Sequence, residues 1–406
     1  MLAGLALFVV VALASWAAQN PISHNGGKGW DGVEYYAMAE QIARGLPLEA
    51  RAPQVYRPGV PLLVALLPGD DIIVKFGLVN LFAAGASVAL FVVWVRLFVG
   101  LWWVRALLVV LFVTMWHGWT RYVFFHPVHV DPWFVVCLLG GLIVVHRLGR
   151  ERTDIRLIVA LSAITFAGVL FREAALVLPA ALLTRDVLGL RVRRLALDLV
   201  PLAAGVAALW LARWPGGPFG ARQSHPYDFV DVAVTWLYDK PFPTYVHAWF
   251  IAFGPVLVLA IVFRRDALRY VGRWPYMRTV LGTFAVAGWV GGTDTERLVY
   301  WSFPVVYVVL GAVIERNVGV LASVPLAGLL VAGQAIAQRL FWTLPDYPGD
   351  YPRAPVLLTP LGSMFPHLDL YSWHPPREVS AVSLAQYLGL ALVLAGWLAY
   401  RRDRAA

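Results

Sequence analysis

Charged side chains that interrupt apolar stretches are the residues of this chain best placed to do chemistry. Arg172 and Glu173 stand between two apolar runs, and Asp294, Glu296 and Arg297 stand between two others. Ionisable groups in apolar surroundings are costly and usually face a polar cavity, so these five are candidate site residues. They could instead pair with one another and only fix the local fold.

A carboxylate near the start of the chain is a candidate general base. Apolar residues at helical spacing follow Asp31 and end at Gly45, which predicts an amphipathic helix lying on the membrane plane. A loop carboxylate of this kind can take the proton from an acceptor hydroxyl. Asp31 and Glu34 also have the spacing of a capping box, in which Asp31 would only cap the helix. In that case the base would be sought at Glu34 or at another carboxylate.

Two further positions could bind ligands. Arg57 could hold a phosphate as a planar fork, or it could be an anchor at the membrane interface. Asp131 follows His126 and His129, and imidazole and carboxylate groups both bind zinc. A divalent metal could therefore bind there, although the sequence has no HExxH signature and no cofactor is certain. Asp131 followed by Pro132 is also typical of a helix N-terminus.

Three familiar catalytic signatures are absent from the sequence. The chain has no GxxxxGK[ST] loop, no GxGxxG fingerprint after a strand and no GxSxG elbow. These absences argue against a P-loop ATPase, a dinucleotide-dependent enzyme and a serine hydrolase of the elbow type.

The composition predicts a protein built in a membrane. Hydrophobic residues make up 60% of the 406 residues and charged residues only 14%, whereas soluble domains carry about 25% charged residues. We predict an all-α integral membrane protein with about 11–12 transmembrane or half-crossing helices, as one polytopic domain over residues 1–406. The single Cys137 rules out a disulfide framework. After a first helix over 1–18, the apolar runs lie at 76–95, 104–118, 131–146, 157–171, 174–184, 195–212, 246–263, 279–290, 298–313, 318–337 and 381–399.

Two apolar regions are expected to rise and return rather than to cross the membrane. A single span over 157–184 would put the Arg-rich loops 147–156 and 185–194 on opposite sides, against the positive-inside rule. A single helix over 279–313 would be about 52 Å long and would have two glycines in its middle. We therefore predict two helical hairpins whose charged tips are sunk below the outer surface, lining a cavity.

The distribution of charge predicts which loops lie on the cytoplasmic side of the membrane and which lie outside. More than half of the 33 Lys and Arg residues lie in alternate short loops, and most acidic residues lie in the opposite, longer segments. The basic side is therefore expected to be cytoplasmic and to hold both termini, as in a bacterial inner (plasma) membrane. The net charge of +9 reflects this bias rather than nucleic-acid binding, and the missing basic n-region favours a retained first helix. Outer loops 19–75, 213–245 and 338–380 are expected to line the extracytoplasmic cavity.

The first outer loop resembles that of the GT-C glycosyltransferases. The resemblance consists of a first helix, a loop with Asp31, a Tyr-rich amphipathic helix ending at Gly45 and a Pro-containing turn. It is nearest to the protein O-mannosyltransferases and the aminoarabinose transferase of lipid A, which use polyprenyl-phosphate sugar donors outside the cytoplasm. Here Gly32 follows Asp31, where many members have an adjacent Asp-Glu pair. The soluble C-terminal domain of many members is absent as well.

The resemblance implies an inverting transfer of a sugar from a polyprenyl-phosphate donor to an acceptor hydroxyl on a lipid, glycan or protein. Asp31 would be the general base and Asp131 a second acidic position of the site. Arg57, Arg172 or Arg297 would contact the donor phosphate. The chief alternative is a polytopic transporter or lipid flippase without covalent chemistry, although no internal repeat is detectable in the sequence. A third alternative is an assembly subunit of an envelope complex.

Overall fold

Helices form most of the chain in the computed structural model. The structure describes all residues except 117, 151–153, 190–193, 215–218, 220–221, 224–228, 293, 341–342, 345–363, 365–376 and 404–406. For residues 149–150, 377–379 and 402–403 only the backbone is described. The predicted outer loop 338–380, and most of loop 213–245 before residue 229, therefore lie largely outside the described residues.

Twenty helices and two short strands are described here in chain order. Helices α1 to α10 are Leu2–Ala18, Gly32–Ala43, Gly59–Ala65, Ile72–Arg96, Trp102–Thr114, Trp119–Phe125, Asp131–Arg150, Ile155–Phe171, Val177–Leu188 and Leu195–Arg213. Helices α11 to α20 are Phe229–Asp239, Phe242–Phe253, Leu257–Val262, Arg264–Gly272, Pro275–Val290, Thr295–Tyr300, Phe303–Arg316, Val318–Leu321, Val324–Ala337 and Arg377–Asp403. Strands β1 and β2 are Glu49–Ala50 and Arg222–Gln223, and 3-10 turns cover Gln54–Tyr56 and Glu173–Leu176.

The chain divides into two compact units. Unit 1 comprises Met1–Trp94, Trp119–Asp228 and Trp274–Val280. Unit 2 comprises Val95–Gly118, Phe229–Arg273 and Leu281–Ala406.

The apolar helices agree with the prediction of an all-α protein that crosses a membrane several times. Five helical stretches in the described chain are long and apolar enough to span a bilayer, judged by length and composition. They are Ile72–Arg96, Trp102–Phe125, Asp131–Leu148, Leu195–Arg213 and Ser380–Arg401. Three shorter apolar helices cover Leu2–Ala18, Ile155–Phe171 and Val324–Ala337. The total of about 11–12 crossing or half-crossing segments stays a prediction.

The first hairpin is confirmed by contacts within unit 1. Three contacts fix the direction of its limbs, namely Gly168 with Ala175, Gly141 with Leu178, and the Val145 carbonyl with the Arg185 guanidinium at 2.9 Å. Because 141 meets 178 and 145 meets 185, α9 runs in the same direction as α7. Helix α8 lies between them in the chain and runs the opposite way. The C-terminal ends of α7 and α9 therefore lie at the same end of unit 1.

The second hairpin is confirmed within unit 2. Helix α15 ends at Val290, and Gly292 adopts a left-handed φ of 118° that lets the chain turn. After the turn the ring of Trp301 packs edge-on against Phe284, with 5.7 Å between the ring centroids. Gly288 lies against Val299, so the chain doubles back along α15 rather than continuing it.

The amphipathic helix predicted after Asp31 is helix α2. Its C-terminus is a Schellman motif, in which the N–H of Gly45 bonds to Ile42 O at 3.0 Å and that of Leu46 to Gln41 O at 2.9 Å. Its apolar stripe, which includes buried Tyr35, packs on α3 and neighbouring protein, whereas the sequence predicted contact with the membrane plane. An apolar stripe has the same pattern whether lipid or protein covers it.

The apolar run 246–263 is broken in the structure, although the sequence pattern suggested one continuous stretch. Gly254 adopts a φ of 73° and ends α12, and α13 begins three residues later. The Gln334 side chain bridges the break, because its amide donates to Phe253 O at 2.9 Å and its oxygen accepts from Val256 N–H at 3.0 Å. Such bonds are needed where buried backbone groups leave a helix.

Candidate active site

A buried charge cluster surrounds the tip of the first hairpin in unit 1. We call it the loop–hairpin cluster, and its members are Asp31, Tyr35, Arg57, Asp131, Arg172 and Glu173. Arg172 is the extended residue that ends α8, and Glu173 begins the 3-10 turn after it. Neighbouring residues of an extended segment point in opposite directions, so the tip can engage two separate partners. The structure thus brings together six residues from four parts of the sequence.

Glu173 is held by Arg57 in a bidentate ion pair. The Arg57 Nε donates to one carboxylate oxygen at 2.9 Å and Nη2 donates to the other at 2.5 Å. Partial burial raises the pKa of Glu173, but the Arg57 guanidinium outweighs burial and lowers that pKa to about 2. Glu173 is therefore a carboxylate at neutral pH, which makes it an anchor for Arg57.

Arg57 is buried, with only 4% of its surface exposed. Its Nη1 donates to the Tyr35 hydroxyl at 3.2 Å, so α2 and the hairpin tip hold the guanidinium from two sides. Protein groups therefore hold Arg57, and its alternative role as an anchor at the membrane interface stays a prediction. Three of its five N–H groups are used by these bonds within the described chain, and two others remain for a ligand oxygen.

Arg172 engages the other side of the tip, where it forms an ion pair with Asp131. Asp131 is the first residue of α7 and is fully buried, and the Nδ1 of His129 lies 3.8 Å from its second oxygen. The loop before α7 is fixed by Asn80, whose amide donates to Pro127 O and His129 O at 2.9 Å each. Asp131 therefore begins a helix, as its sequence context predicted, and also holds a buried arginine.

Asp31 is half-buried and is not used as a cap. It occupies the N-cap position of α2, yet among the described residues its side chain makes no capping hydrogen bond. Glu34 does not complete a capping box, because its carboxylate accepts from the backbone N–H of Arg51 at 2.9 Å. The second candidate carboxylate is thus committed to the following loop, whereas the Asp31 carboxylate makes no capping hydrogen bond among the described residues.

Tyr35 is influenced by the charges of Asp31 and of both arginines of the cluster. Burial raises the pKa of Tyr35, while the positive charges of Arg57 and Arg172 lower it and the negative charge of Asp31 raises it. All three charges therefore act on one phenol. Asp31 is therefore a half-exposed carboxylate near Tyr35, the residue whose hydroxyl accepts from the buried Arg57.

A second cluster, the Lys240 cluster, occupies the tip of the second hairpin in unit 2. The Lys240 ammonium donates to Gly288 O at 2.7 Å, Gly292 O at 2.8 Å and the Thr295 hydroxyl at 2.7 Å. The two carbonyls lie at the C-terminal end of α15, where a helix dipole favours a cation. Burial lowers the pKa of Lys240 to about 8, against the opposing effect of Glu296. Lys240 therefore fastens the hairpin tip.

The predicted site residues of this second tip lie next to the lysine. Asp294 and Arg297 form an ion pair one turn apart, and both side chains are partly exposed. Glu296 is buried, and burial together with the Asp294 charge raises its pKa well above the ordinary value. Mutual pairing, which was one interpretation of these charges, therefore holds for Asp294 and Arg297.

The candidate metal ligands do not converge. No group of three or more His, Cys, Asp and Glu side chains in the described chain has the geometry to hold a metal ion. His126 and His129 pack ring against ring, 5.3 Å between centroids, and the Nε2 of His126 bonds to Lys28 O at 3.0 Å.

Sequence reasoning missed three residues that build these clusters. Tyr35 appeared only as part of an apolar stripe, and Asn80 lay inside an apolar run with nothing to mark its bonds to a distant loop. Lys240 lies in a predicted outer loop, where no local pattern indicates its partners. Polar residues such as Asn and Lys are uncommon in or beside apolar helices. Because a buried polar side chain needs hydrogen-bond partners, their presence alone could have marked Asn80 and Lys240.

No protein-family model, no curated protein and no solved structure matches this chain. The candidate site is therefore argued from the geometry of this chain alone.

Proposed function

We propose that the chain is a membrane glycosyltransferase that moves a sugar from a polyprenyl-phosphate donor to an acceptor hydroxyl outside the cytoplasm. The observation that carries the proposal is the state of Asp31. Its carboxylate is half-exposed, makes no capping hydrogen bond among the described residues and acts electrostatically on Tyr35, whose hydroxyl accepts from the buried Arg57. A base that must meet a substrate needs such an uncommitted carboxylate.

The proposed reaction breaks the bond between the anomeric carbon and the phosphate oxygen of the donor. Asp31 takes the proton of the acceptor hydroxyl as its oxygen attacks the anomeric carbon from the opposite face, which inverts the centre. The departing polyprenyl phosphate carries away the bonding electron pair. Arg57 supplies its two remaining N–H groups to that phosphate, and Arg172 adds positive charge.

The ion pairs of the hairpin tip give this site its rigidity. Glu173 and Tyr35 fix the position of Arg57, and Asp131 fixes that of Arg172. Guanidinium groups that are already oriented need no rearrangement when negative charge develops on the leaving phosphate. Glu173 and Asp131 are therefore positioning residues in this proposal, whereas Asp31 meets the substrate.

The test is transfer by the purified full-length protein in nanodiscs. A panel of polyprenyl-phosphate sugars is supplied, and the release of polyprenyl phosphate and the loss of the sugar donor are measured. We expect turnover of at least one donor, with inversion at the anomeric carbon. A transporter or flippase would instead move a labelled lipid between leaflets of a proteoliposome without breaking the sugar–phosphate bond, and that result would overturn the proposal.

A further inference from the structure

Helix α14 presents an arginine-rich face that is separate from both candidate clusters. On a helix of about 3.6 residues per turn, Arg264, Arg265, Leu268 and Arg269 share one side. All four are exposed, and Leu268 is 70% exposed in the midst of the arginines. We call this side the arginine face of α14.

The opposite side of α14 is fixed to unit 2. Ala267 and Tyr270 are buried there, and Asp266 accepts from Arg316 at 3.2 Å and from Asn317 at 3.3 Å. Asp266 is the single acid of the helix, and it is shared between these two partners and Arg269, whose guanidinium lies 3.8 Å away, so Arg264 and Arg265 carry most of the positive charge of the face. The arginine face therefore presents concentrated positive charge around one apolar side chain. This is the composition of helices that lie at a bilayer surface and bind anionic headgroups.

An apolar cavity of about 420 Å³ lies in the same unit. Its wall includes Leu259 of α13 and Ile314 of α17, the two helices on which α14 is packed. Gln334, which also lines it, has its amide bonded to the backbone at the end of α12 and the start of α13. The other polar side chains of the wall are Thr114, which donates to Val110 O at 2.7 Å, and Gln338, and all remaining lining residues are apolar. A wall of this composition suits a hydrocarbon chain better than a polar ligand.

We propose that unit 2 binds an anionic phospholipid, with its phosphate on the arginine face of α14 and an acyl chain in the apolar cavity. Arg264 and Arg265 contact the phosphate, and Leu268 enters the acyl layer beside it. The positive-inside rule places this end of the unit at the cytoplasmic leaflet. The site is independent of the proposed sugar transfer.

The test is native mass spectrometry of delipidated, full-length protein titrated with phosphatidylglycerol or with phosphatidylcholine. We expect phosphatidylglycerol to bind more tightly, and Arg264→Gln/Arg265→Gln to weaken its binding about 30-fold, as two lost surface cations predict. Arg264→Lys/Arg265→Lys should restore most of the binding. The control Arg147→Gln/Arg156→Gln removes two exposed arginines of unit 1 and should change the affinity less than about threefold.

The cavity is tested with Ala322→Trp, since Ala322 lines the cavity and is exposed. We expect loss of phosphatidylglycerol binding while the thermal midpoint of the protein stays unchanged. Equal affinity for both phospholipids, or full binding by the Arg264→Gln/Arg265→Gln variant, would overturn the headgroup site. Full binding by Ala322→Trp would overturn the chain site. Displacement of phosphatidylglycerol by an equimolar polyprenyl phosphate would show that the cavity serves a different lipid.

Discussion

At the scale of single residues, the carboxylates in and near the loop–hairpin cluster differ in their interactions. Glu173 and Asp131 each hold a buried arginine, and Glu34 is committed to a backbone N–H. Asp31 shares their charge, but in the part of the chain that the structure describes its side chain caps no helix. A carboxylate that already accepts from a guanidinium or a backbone N–H would weaken that interaction by taking a proton, so the three committed carboxylates are poor bases.

The pairing of Glu173 predicts a specific dependence of stability on pH. Its pKa in the folded protein is about 2, below the ordinary value of 4.5, so the pair stabilises the fold above about pH 4.5. That contribution is lost as the pH falls from 4.5 to 2. Thermal midpoints in detergent should therefore be lower for Glu173→Gln than for the native protein at pH 7, and the gap should close below pH 4.5. The control Glu40→Gln, which removes an exposed pair with Arg44, should show little change at any pH. A gap that stays constant down to pH 2 would refute the pairing.

Contact between Arg297 and the donor phosphate stays a prediction. In the structure Arg297 pairs with Asp294, and lysine could keep that charge contact but not the planar fork. If Arg297 holds the donor phosphate, Arg297→Lys should lower transfer about 100-fold with an unchanged thermal midpoint. Arg316→Lys, which alters an arginine far along the sequence and outside both clusters, is the matched control. Native turnover in Arg297→Lys would assign Arg297 a structural role alone.

At the scale of the elements, both hairpins were predictable. The positions of the Arg-rich loops excluded one membrane span over 157–184, and a single helix over 279–313 would have been too long for one span. The Arg-rich loops around α8 and α9 could share one side only if the chain reversed between them. Two glycines inside an apolar run marked the second reversal. The interactions that stabilise the hairpin tips were not predictable. Arg57 and Glu173, for example, are 116 residues apart, and no local pattern indicates that they pair.

Lys240 stabilises the tip of the second hairpin through its three hydrogen bonds, so its removal should destabilise that tip specifically. Lys240→Met leaves two helix-end carbonyls without their ammonium donor, which costs about 1–3 kcal/mol per unsatisfied buried group. Hydrogen exchange measured by mass spectrometry should rise over residues 288–300 and remain native elsewhere. Lys75→Met, on another helix, should leave that segment protected. Equal protection from hydrogen exchange over residues 288–300 in Lys240→Met and the native protein would contradict this stabilising role of Lys240.

At the scale of the whole molecule, composition was enough to predict a helical membrane protein, and the five long apolar helices agree with it. Composition could not show that α2 packs on protein, or that Gly254 breaks an apolar run. Both depend on which surfaces meet after folding. The pairing of β1 with β2, which joins the first outer loop to residues 222–223, likewise had no local signal.

Sidedness is the molecular property that follows most directly from the charge pattern. Since Cys137 is the single native cysteine, a Cys137→Ala background allows cysteines to be placed one at a time. Exposed positions Leu188 and Leu268 should react with a membrane-impermeant maleimide only from the cytoplasmic side, and Leu46 only from outside. Labelling of Leu188 and Leu268 from opposite sides would refute the predicted topology.

The central claim, that Asp31 is a catalytic base, is tested most directly by comparing Asp31→Asn with the native enzyme on a donor that the native enzyme uses. Asparagine keeps the size and hydrogen-bonding oxygen of aspartate, but it cannot take a proton near neutral pH. Purified Asp31→Asn should keep its thermal midpoint and its donor binding, because Arg57 and Arg172 are untouched. Its transfer rate should fall by about two to four orders of magnitude. A transfer rate within a few fold of native would contradict the account and move the search for the base to the other carboxylates of the cluster.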